Sequence, residues 1–344
     1  MTGRGFMPAV DVPQGALPRR VLVTGAAGFI GMHLSALLLD QGIEVLGMDN
    51  LNAYYDPALK AARLATLAGR NGFSFEKISI EDGAAVMAAF ATFRPDVVVH
   101  LAAQAGVRYS LDAPRSYTQS NIEGFLSMIE AARQHPVRHF LYASSSSVYG
   151  SNAKVPFSED DPVEHPLSLY AATKRANELM AETYAHLFAL PMTGLRFFTV
   201  YGPWGRPDMA MWKFTDAILA GRAIEVYDEA GMSRDFTYID DIVASILRLL
   251  PLAPQKDGLQ SPHRILNIGN NRPERLADFV AAIESACGKM AIKQHMPRQP
   301  GDVLATYADI AKLHALTGFQ PETSIQEGAR KFADWLILHP QFRK

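Results

Sequence analysis

The run Val21-Leu-Val-Thr-Gly-Ala-Ala-Gly-Phe-Ile-Gly31 constrains this chain more than any other stretch. Val21–Val23 is a short apolar segment that reads as a buried parallel strand, and an apolar helical pattern follows the glycines to about Gln41. Gly25 permits the tight turn off the strand, Gly28 lets the backbone approach a pyrophosphate, and Gly31 lets the helix pack close to the sheet. The helix N-terminus then offers N–H groups and a positive dipole end to phosphate. A second apolar run, Ile43–Met48, ends in Asp49, about 20 residues past the glycines. A carboxylate there bonds a ribose 2′-hydroxyl and repels a 2′-phosphate. Strand, turn, helix and acid together predict a dinucleotide site that takes NAD rather than NADP.

The pattern continues as regular strand–helix alternation. After the polar-aromatic loop Asn50–Pro57, helices are expected to about Arg70, over Asp82–Phe93, Pro114–Gln134 and Leu167–Leu187. Strands are expected at Phe73–Lys77, Asp96–Leu101, Arg138–Ser144 and Met192–Phe197. The fold class that follows is α/β, a doubly wound parallel (Rossmann) sheet with ligands at the carboxyl ends of its strands. Beyond Tyr201 the regularity breaks at Gly202-Pro-Trp-Gly-Arg-Pro207, and short elements follow at Ile224–Tyr227, Asp235–Tyr238, Asp240–Leu250, Ile265–Ile268 and Arg275–Ala286. The expected division is a flexible tail over 1–19, an NAD-binding domain over 20–200, and a smaller α/β substrate-binding region over 201–344, some of whose segments return to the first domain.

Composition excludes several function classes. With 344 residues, 48% of them apolar, the chain can fill one large core or two packed ones. A net charge of −2 with no basic run argues against a nucleic-acid or membrane surface. The single cysteine, Cys287, excludes an internal disulfide and reads as a small core residue, and no cluster has metal-ligand spacing. Residues 1–19 lack the apolar core of a signal peptide, and no apolar run is long enough to span a bilayer. These features predict a cytoplasmic protein without a metal.

Tyr170 and Lys174 are spaced i, i+4 on a helix and share one face. An ammonium beside a phenol favours phenolate, and a bound NAD⁺ ring pushes the same way, so Tyr170 is expected to have a lowered pKa and to act as a general base. About 25 residues upstream a strand ends in Ser144-Ser-Ser-Ser-Val-Tyr-Gly150. Serines in a row are poor core material; the plainer reading is a turn in which hydroxyls bond nearby backbone. The functional reading has Ser145 on the reacting substrate oxygen and Ser147 facing the same cleft by strand periodicity.

Thr24-Gly-Ala-Ala-Gly-Phe-Ile-Gly31, Ser145 with Tyr170-x-x-x-Lys174, and Arg234-Asp-Phe-Thr-Tyr-Ile-Asp-Asp241 resemble the extended short-chain dehydrogenase/reductase superfamily, over essentially Arg20 to the C-terminus. Four segments resemble the UDP-glucuronate 4-epimerases within it. They are Asp49–Asp56, Leu101–Ser110, Arg196–Asp208 and Gln299-Pro-Gly-Asp302. The resemblance implies Tyr170 as base and Lys174 as its partner. It implies Gly25, Gly28, Phe29, Ile30 and Gly31 at the pyrophosphate, Asp49, Asn50 and Asn52 at the adenosine ribose, and Ile80, Leu101, Ala102, Ala103, Gln104 and Ser144 beside the cofactor. Substrate contacts are implied for Arg108, Asn121, Thr199, Arg206, Arg234 and Asp302. The plainer reading of Asn121 is a satisfied helix asparagine, and that of Arg234 an ion pair with Asp235 or Asp240. Ser79 stands where the family commonly has an aspartate at the adenine amine.

By the same resemblance the reaction is C4 epimerisation of a UDP-sugar, UDP-glucuronate to UDP-galacturonate, through a 4-keto intermediate with transient hydride transfer to NAD. Thr199 and Arg206 are then the grip on the sugar carboxylate. A homodimer is implied, built from the helices beginning near Pro114 and Leu167. The 4,6-dehydratases carry an Asp-Glu pair where Ser146-Ser147 stands here, which disfavours that activity. UDP-glucose/galactose epimerase, UDP-glucuronate decarboxylase and a catalytically silent NAD-binding scaffold remain open alternatives at this point.

Overall fold

The computed structural model describes residues 17–227, 232–296 and 305–343. Mostly apolar segments give the strands β1 (Arg20–Thr24), β2 (Glu44–Met48), β4 (Val97–His100), β5 (His139–Ser145) and β6 (Met192–Phe197), and the alternating Phe-Ser-Phe-Glu gives the edge strand β3 (Phe73–Glu76). After them come β7 (Thr199–Tyr201), β8 (Ala223–Tyr227), β9 (Ser233–Tyr238), β10 (His263–Ile268), β11 (Pro273–Arg275), β12 (Ile292–Met296) and β13 (Ala305–Thr306). Seven of these form one sheet in the order β10-β6-β5-β4-β1-β2-β3, all pairs parallel. The chain winds outward from β1 to β3 and then returns to the other side of β1 with β4. The order therefore reverses between β1 and β4, and a crevice opens there at the carboxyl ends of the strands.

Both faces of the sheet are covered, as a parallel sheet requires. Alternate strand residues feed two cores: Val21, Val23, Val97 and Val99 enter one, Leu22 and Val98 the other. The helices are α1 (Phe29–Asp40), α2 (Pro57–Leu67), α3 (Gly83–Phe93), α4 (Tyr109–Asp112), α5 (Pro114–Thr118), α6 (Gly124–Gln134) and α7 (Leu169–Phe188). Their starts follow sequence chemistry. Asp56 caps α2 through Ala58 N with Pro57 in the first turn, Asp82 caps α3 through Ala85 N, and Ser168 caps α7 through Ala171 N. The helix expected over Pro114–Gln134 is interrupted by a π-helical turn at Gln119–Glu123.

Past β6, β9 is the centre of a second small sheet, antiparallel to β11 and parallel to β13 and β7. The strands β8 and β12 pair separately. The segments α8 (Ala210–Ala220), α9 (Ile239–Leu249), α10 (Leu276–Cys287), α11 (Ala311–Thr317) and α12 (Ile325–Leu338) pack around them. Although β10 lies late in the chain, it pairs with β6 and extends the large sheet. Cys287, expected in the core, is only partly buried at the end of α10, and burial raises its thiol to about 11. No described helix is long and apolar enough to cross a membrane.

Candidate active site

The site is one cleft over the β1/β4 switch point. At its floor Gly25, with φ +70°, turns the chain off β1, and its N–H bonds Met48 O at 2.7 Å. A Cβ on Gly31 would lie 2.1 Å from Gly25 O, and one on Gly28 2.8 Å from it, so the loop closes this tightly only with glycine. The N-cap of α1 is Gly28, which makes no side-chain cap bond, so the helix end faces the cleft without a capping side chain. Asp49 stands at the end of β2, only 8% exposed. Its carboxylate accepts from Ala27 N at 3.2 Å and Leu51 N at 2.8 Å, which fixes it beside the glycine loop. A narrow glycine turn, an open helix end and a fixed acid are what a dinucleotide's pyrophosphate and ribose require.

The predicted cofactor positions fall on this cleft's wall: Gly25, Gly28, Phe29, Ile30, Gly31, Asp49, Asn50, Asn52, Ile80, Leu101, Ala102, Ala103, Gln104 and Ser144. The Ser79 hydroxyl bonds Asn50 Nδ2 at 3.2 Å and Glu81, leaving Ile78 and Ile80 as an apolar wall. At the far end Ser145, Tyr170, Lys174 and Arg206 meet. Lys174 is 3% exposed, and its Nζ donates to Ala143 O at 2.9 Å.

The expected depression of the Tyr170 pKa by Lys174 is corrected by the geometry. Burial dominates and raises the phenol above its ordinary value, and the groups that pull it back are the Ser145 hydroxyl and the Arg206 guanidinium. Burial likewise lowers Lys174 to about 8. Arg206 is held by Asp208, Nε to Oδ1 at 3.0 Å and Nη2 to Oδ2 at 2.5 Å, and Tyr54 donates to the same Oδ2 at 3.1 Å.

Other predicted positions lie elsewhere. The strand carrying Ser145 ends there, and Ser146–Tyr149 is a 3₁₀ turn in which Ser147 N bonds Ser145 Oγ at 3.1 Å. Ser147 therefore does not line the described cleft, because strand periodicity stops two residues before it. Asn121 sits in the π turn, 2% exposed. Its side chain accepts from Gln104 N at 2.8 Å and donates to Gln104 O and Thr173 Oγ1, so it holds the cleft wall from behind. Thr199, half-buried, lies between two cleft-lining residues, Phe198 and Val200, without lining the cleft itself. Arg108 is exposed, 6.0 Å from the Tyr227 ring. Arg234 donates to Ser233 O at 2.9 Å; of the two carboxylates in its plainer reading, Asp235 and Asp240, the Asp235 carboxylate accepts from Thr237, Asn270, Asn271 and Ala308. Gln299 and Asp302 lie outside the described residues.

Sequence reasoning assigned no role to Tyr54, Tyr55, Lys60, Phe198 and Met209, which also line the cleft. Lys60 is 6% exposed and bonds Asn52 Oδ1 at 2.8 Å. Its spacing from the Asn50–Asp56 loop was the available signal. Among the described residues no group of His, Cys, Asp and Glu could hold a metal ion.

A family model described as NAD dependent epimerase/dehydratase matches residues 21–269. The chain belongs to the NAD dependent epimerase/dehydratase family. A probable UDP-glucuronate 4-epimerase of Rhizobium meliloti is 48% identical, covering 92% of this chain and 96% of that protein. Among solved structures, UDP-glucuronic acid 4-epimerase from Bacillus cereus in complex with UDP-glucuronic acid and NAD aligns with a TM-score of 0.85 at 32% identity, covering 93% of this chain and 99% of that one. UDP-glucose 4-epimerase from Thermotoga maritima, with UDP-glucose, aligns with a TM-score of 0.83 at 29% identity, covering 93% and 99%. The seven-stranded parallel sheet is thus an epimerase-family Rossmann fold, and the glycine loop and Asp49 of this family member fit its cofactor, NAD.

Proposed function

We propose that this NAD dependent epimerase inverts C4 of UDP-glucuronate to give UDP-galacturonate. The observation that carries the sugar assignment is Arg206, a cation on the wall of the same cleft as Tyr170, near enough that each shifts the other's proton affinity. Asp208 takes Nε and one Nη2 hydrogen, which leaves the Nη1 edge of Arg206 for a substrate carboxylate. A neutral hexose has no use for such a cation.

In this reading Ser145 orients the reacting C4 oxygen and Tyr170 takes its proton. Lys174, the partner of the base in this reading, stands one helical turn along and donates to Ala143 O on the wall of the same cleft. NAD⁺ when bound supplies the hydride acceptor and donor, and its charged ring favours phenolate. The 4-keto sugar is a β-keto acid, which loses carbon dioxide when the C–C bond aligns with the carbonyl π system. Arg206, with the Thr199 hydroxyl assigned beside it, holds the carboxylate out of that alignment. Arg234 is assigned to the UDP phosphates, Asp302 to the uridine ribose and Arg108 to the substrate, and residues 201–344 mainly to the nucleotide sugar. A cytoplasmic homodimer completes the proposal. Leu126, Leu179 and Leu187, between 41% and 62% exposed on α6 and α7, form an apolar face suited to a second copy.

The test is to give purified protein, with no NAD added, UDP-glucuronate and UDP-glucose in parallel and to separate the products. UDP-galacturonate as the main product supports the reading. Preferential turnover of UDP-glucose removes the role given to Arg206, and UDP-pentose as the main product makes the protein a decarboxylase.

A further inference from the structure

Among the described residues, one fully buried arginine has no carboxylate among its hydrogen-bond partners. Arg63, on α2, is 0% exposed, and its five N–H donors all point at neutral oxygens. Nε donates to Trp204 O at 3.1 Å. Nη1 donates to Ala27 O at 3.2 Å and to the Tyr55 hydroxyl at 2.6 Å. Nη2 donates to Trp204 O at 2.7 Å and Gly205 O at 2.8 Å. The guanidinium thus joins three segments distant in sequence: the glycine loop through Ala27, the polar-aromatic loop through Tyr55, and the 202–208 loop through two consecutive carbonyls.

Those two carbonyls immediately precede Arg206. The loop that presents them is unusual in its backbone. Trp204 has φ +62°, a left-handed conformation that a tryptophan adopts at a cost, and its ring is pinned against Trp335, His339 and Phe342. On its other side Arg206 is clamped by Asp208, which Tyr54 holds. The neighbouring tyrosines of one loop therefore serve the same end, Tyr54 through Asp208 and Tyr55 through Arg63. Only a planar fork with five donors reaches all these acceptors; a lysine has three donors at one point.

We infer that Arg63 is the positioning residue that sets where Arg206 stands, and so determines the preference for a hexuronate over the corresponding hexose. This rests on the reading of Arg206 as the carboxylate grip. UDP-glucuronate and UDP-glucose differ only at the group Arg206 would touch. A shift of Arg206 therefore weakens one and spares the other, whereas a general loosening of the fold weakens both.

The experiment is calorimetric titration of NAD-saturated protein with UDP-glucuronate and with UDP-glucose, for wild type and Arg63→Lys. Wild type is expected to prefer the glucuronate. Arg63→Lys is expected to reduce that preference by roughly tenfold to a hundredfold, with UDP-glucose affinity unchanged, as a displaced binding group does. A second variant, Gly205→Ala, moves the same loop without removing the cation, since the new Cβ would lie 2.9 Å from Gly202 O. It is expected to shift the preference in the same direction, and it carries the test if Arg63→Lys does not fold. Equal weakening of both ligands, or an unchanged preference in both variants, overturns the inference about Arg63 and leaves the hexuronate reading intact. A wild-type protein without preference overturns the hexuronate reading and this inference with it.

Discussion

A phenol serves as a base near neutrality only when something offsets the cost of burying its charge. In the protein alone the offsetting groups at Tyr170 are Ser145 and Arg206, and they do not suffice: the phenol stays above its ordinary value of about 10. Ultraviolet difference titration of wild type against Tyr170→Phe should therefore place this ionisation above the ordinary phenol range in cofactor-free protein and move it down when NAD⁺ is bound. An unmoved titration would mean that the cofactor's charge does not reach the phenol. Tyr170→Phe should cost roughly 100- to 10,000-fold in kcat, the usual worth of a general base, while NAD remains bound.

The base is held in place by a helix, and the helix by a buried ion pair. Glu178, two turns along α7 from Tyr170, accepts from Arg196 Nε at 2.8 Å and Nη2 at 2.9 Å, and from the Ser144 hydroxyl at 2.6 Å. The two side chains are 1% and 3% exposed. Arg175 Nη1 also donates to Glu178 Oε2 at 3.0 Å. Arg196→Met would leave the carboxylate that part-exposed partner alone, so urea unfolding should show a loss of about 1.5–3 kcal/mol; a loss below about 0.5 kcal/mol would mean that Arg175 suffices. The same scale explains what could be read in the sequence. The glycine loop, Asp49 and the Tyr170/Lys174 pair are set by spacing within one or two elements, and periodicity locates those. Ser147 falls off the described cleft because β5 ends at Ser145, and Asn121 follows the plainer reading, a satisfied asparagine, within a π turn; local pattern encodes neither the strand end nor the π turn. Arg63 escaped because most of its partners lie far away in sequence on loops, and Asp208 because it stands behind Arg206 rather than on the cleft wall.

Across the whole molecule, burial also sets the response to acid. Desolvation lowers His33 to about 4 and His100 and His139 to about 3, while the unfolded chain binds these protons near 6.5. Between those values the unfolded state holds more protons, so stability falls as pH drops from about 6.5 toward 4 and recovers as pH rises. Urea midpoints across that range should show the slope, and His139→Gln should make it shallower; an unchanged slope would mean that other groups carry it. The exposed face of α6 and α7 predicts that Leu179→Glu shifts sedimentation toward the monomer with the fold kept, whereas a wild-type monomer would remove the dimer from the account. In the proposed reaction one cleft takes a hydride from C4 of UDP-glucuronate, holds the carboxylate, and returns the same hydride to the other face. Proton NMR of the wild-type reaction in D₂O, with no NAD added, tests it most directly. The expected product is UDP-galacturonate that keeps protium at C4, with no released carbon dioxide. Deuterium at C4, or UDP-pentose with carbon dioxide, would contradict it.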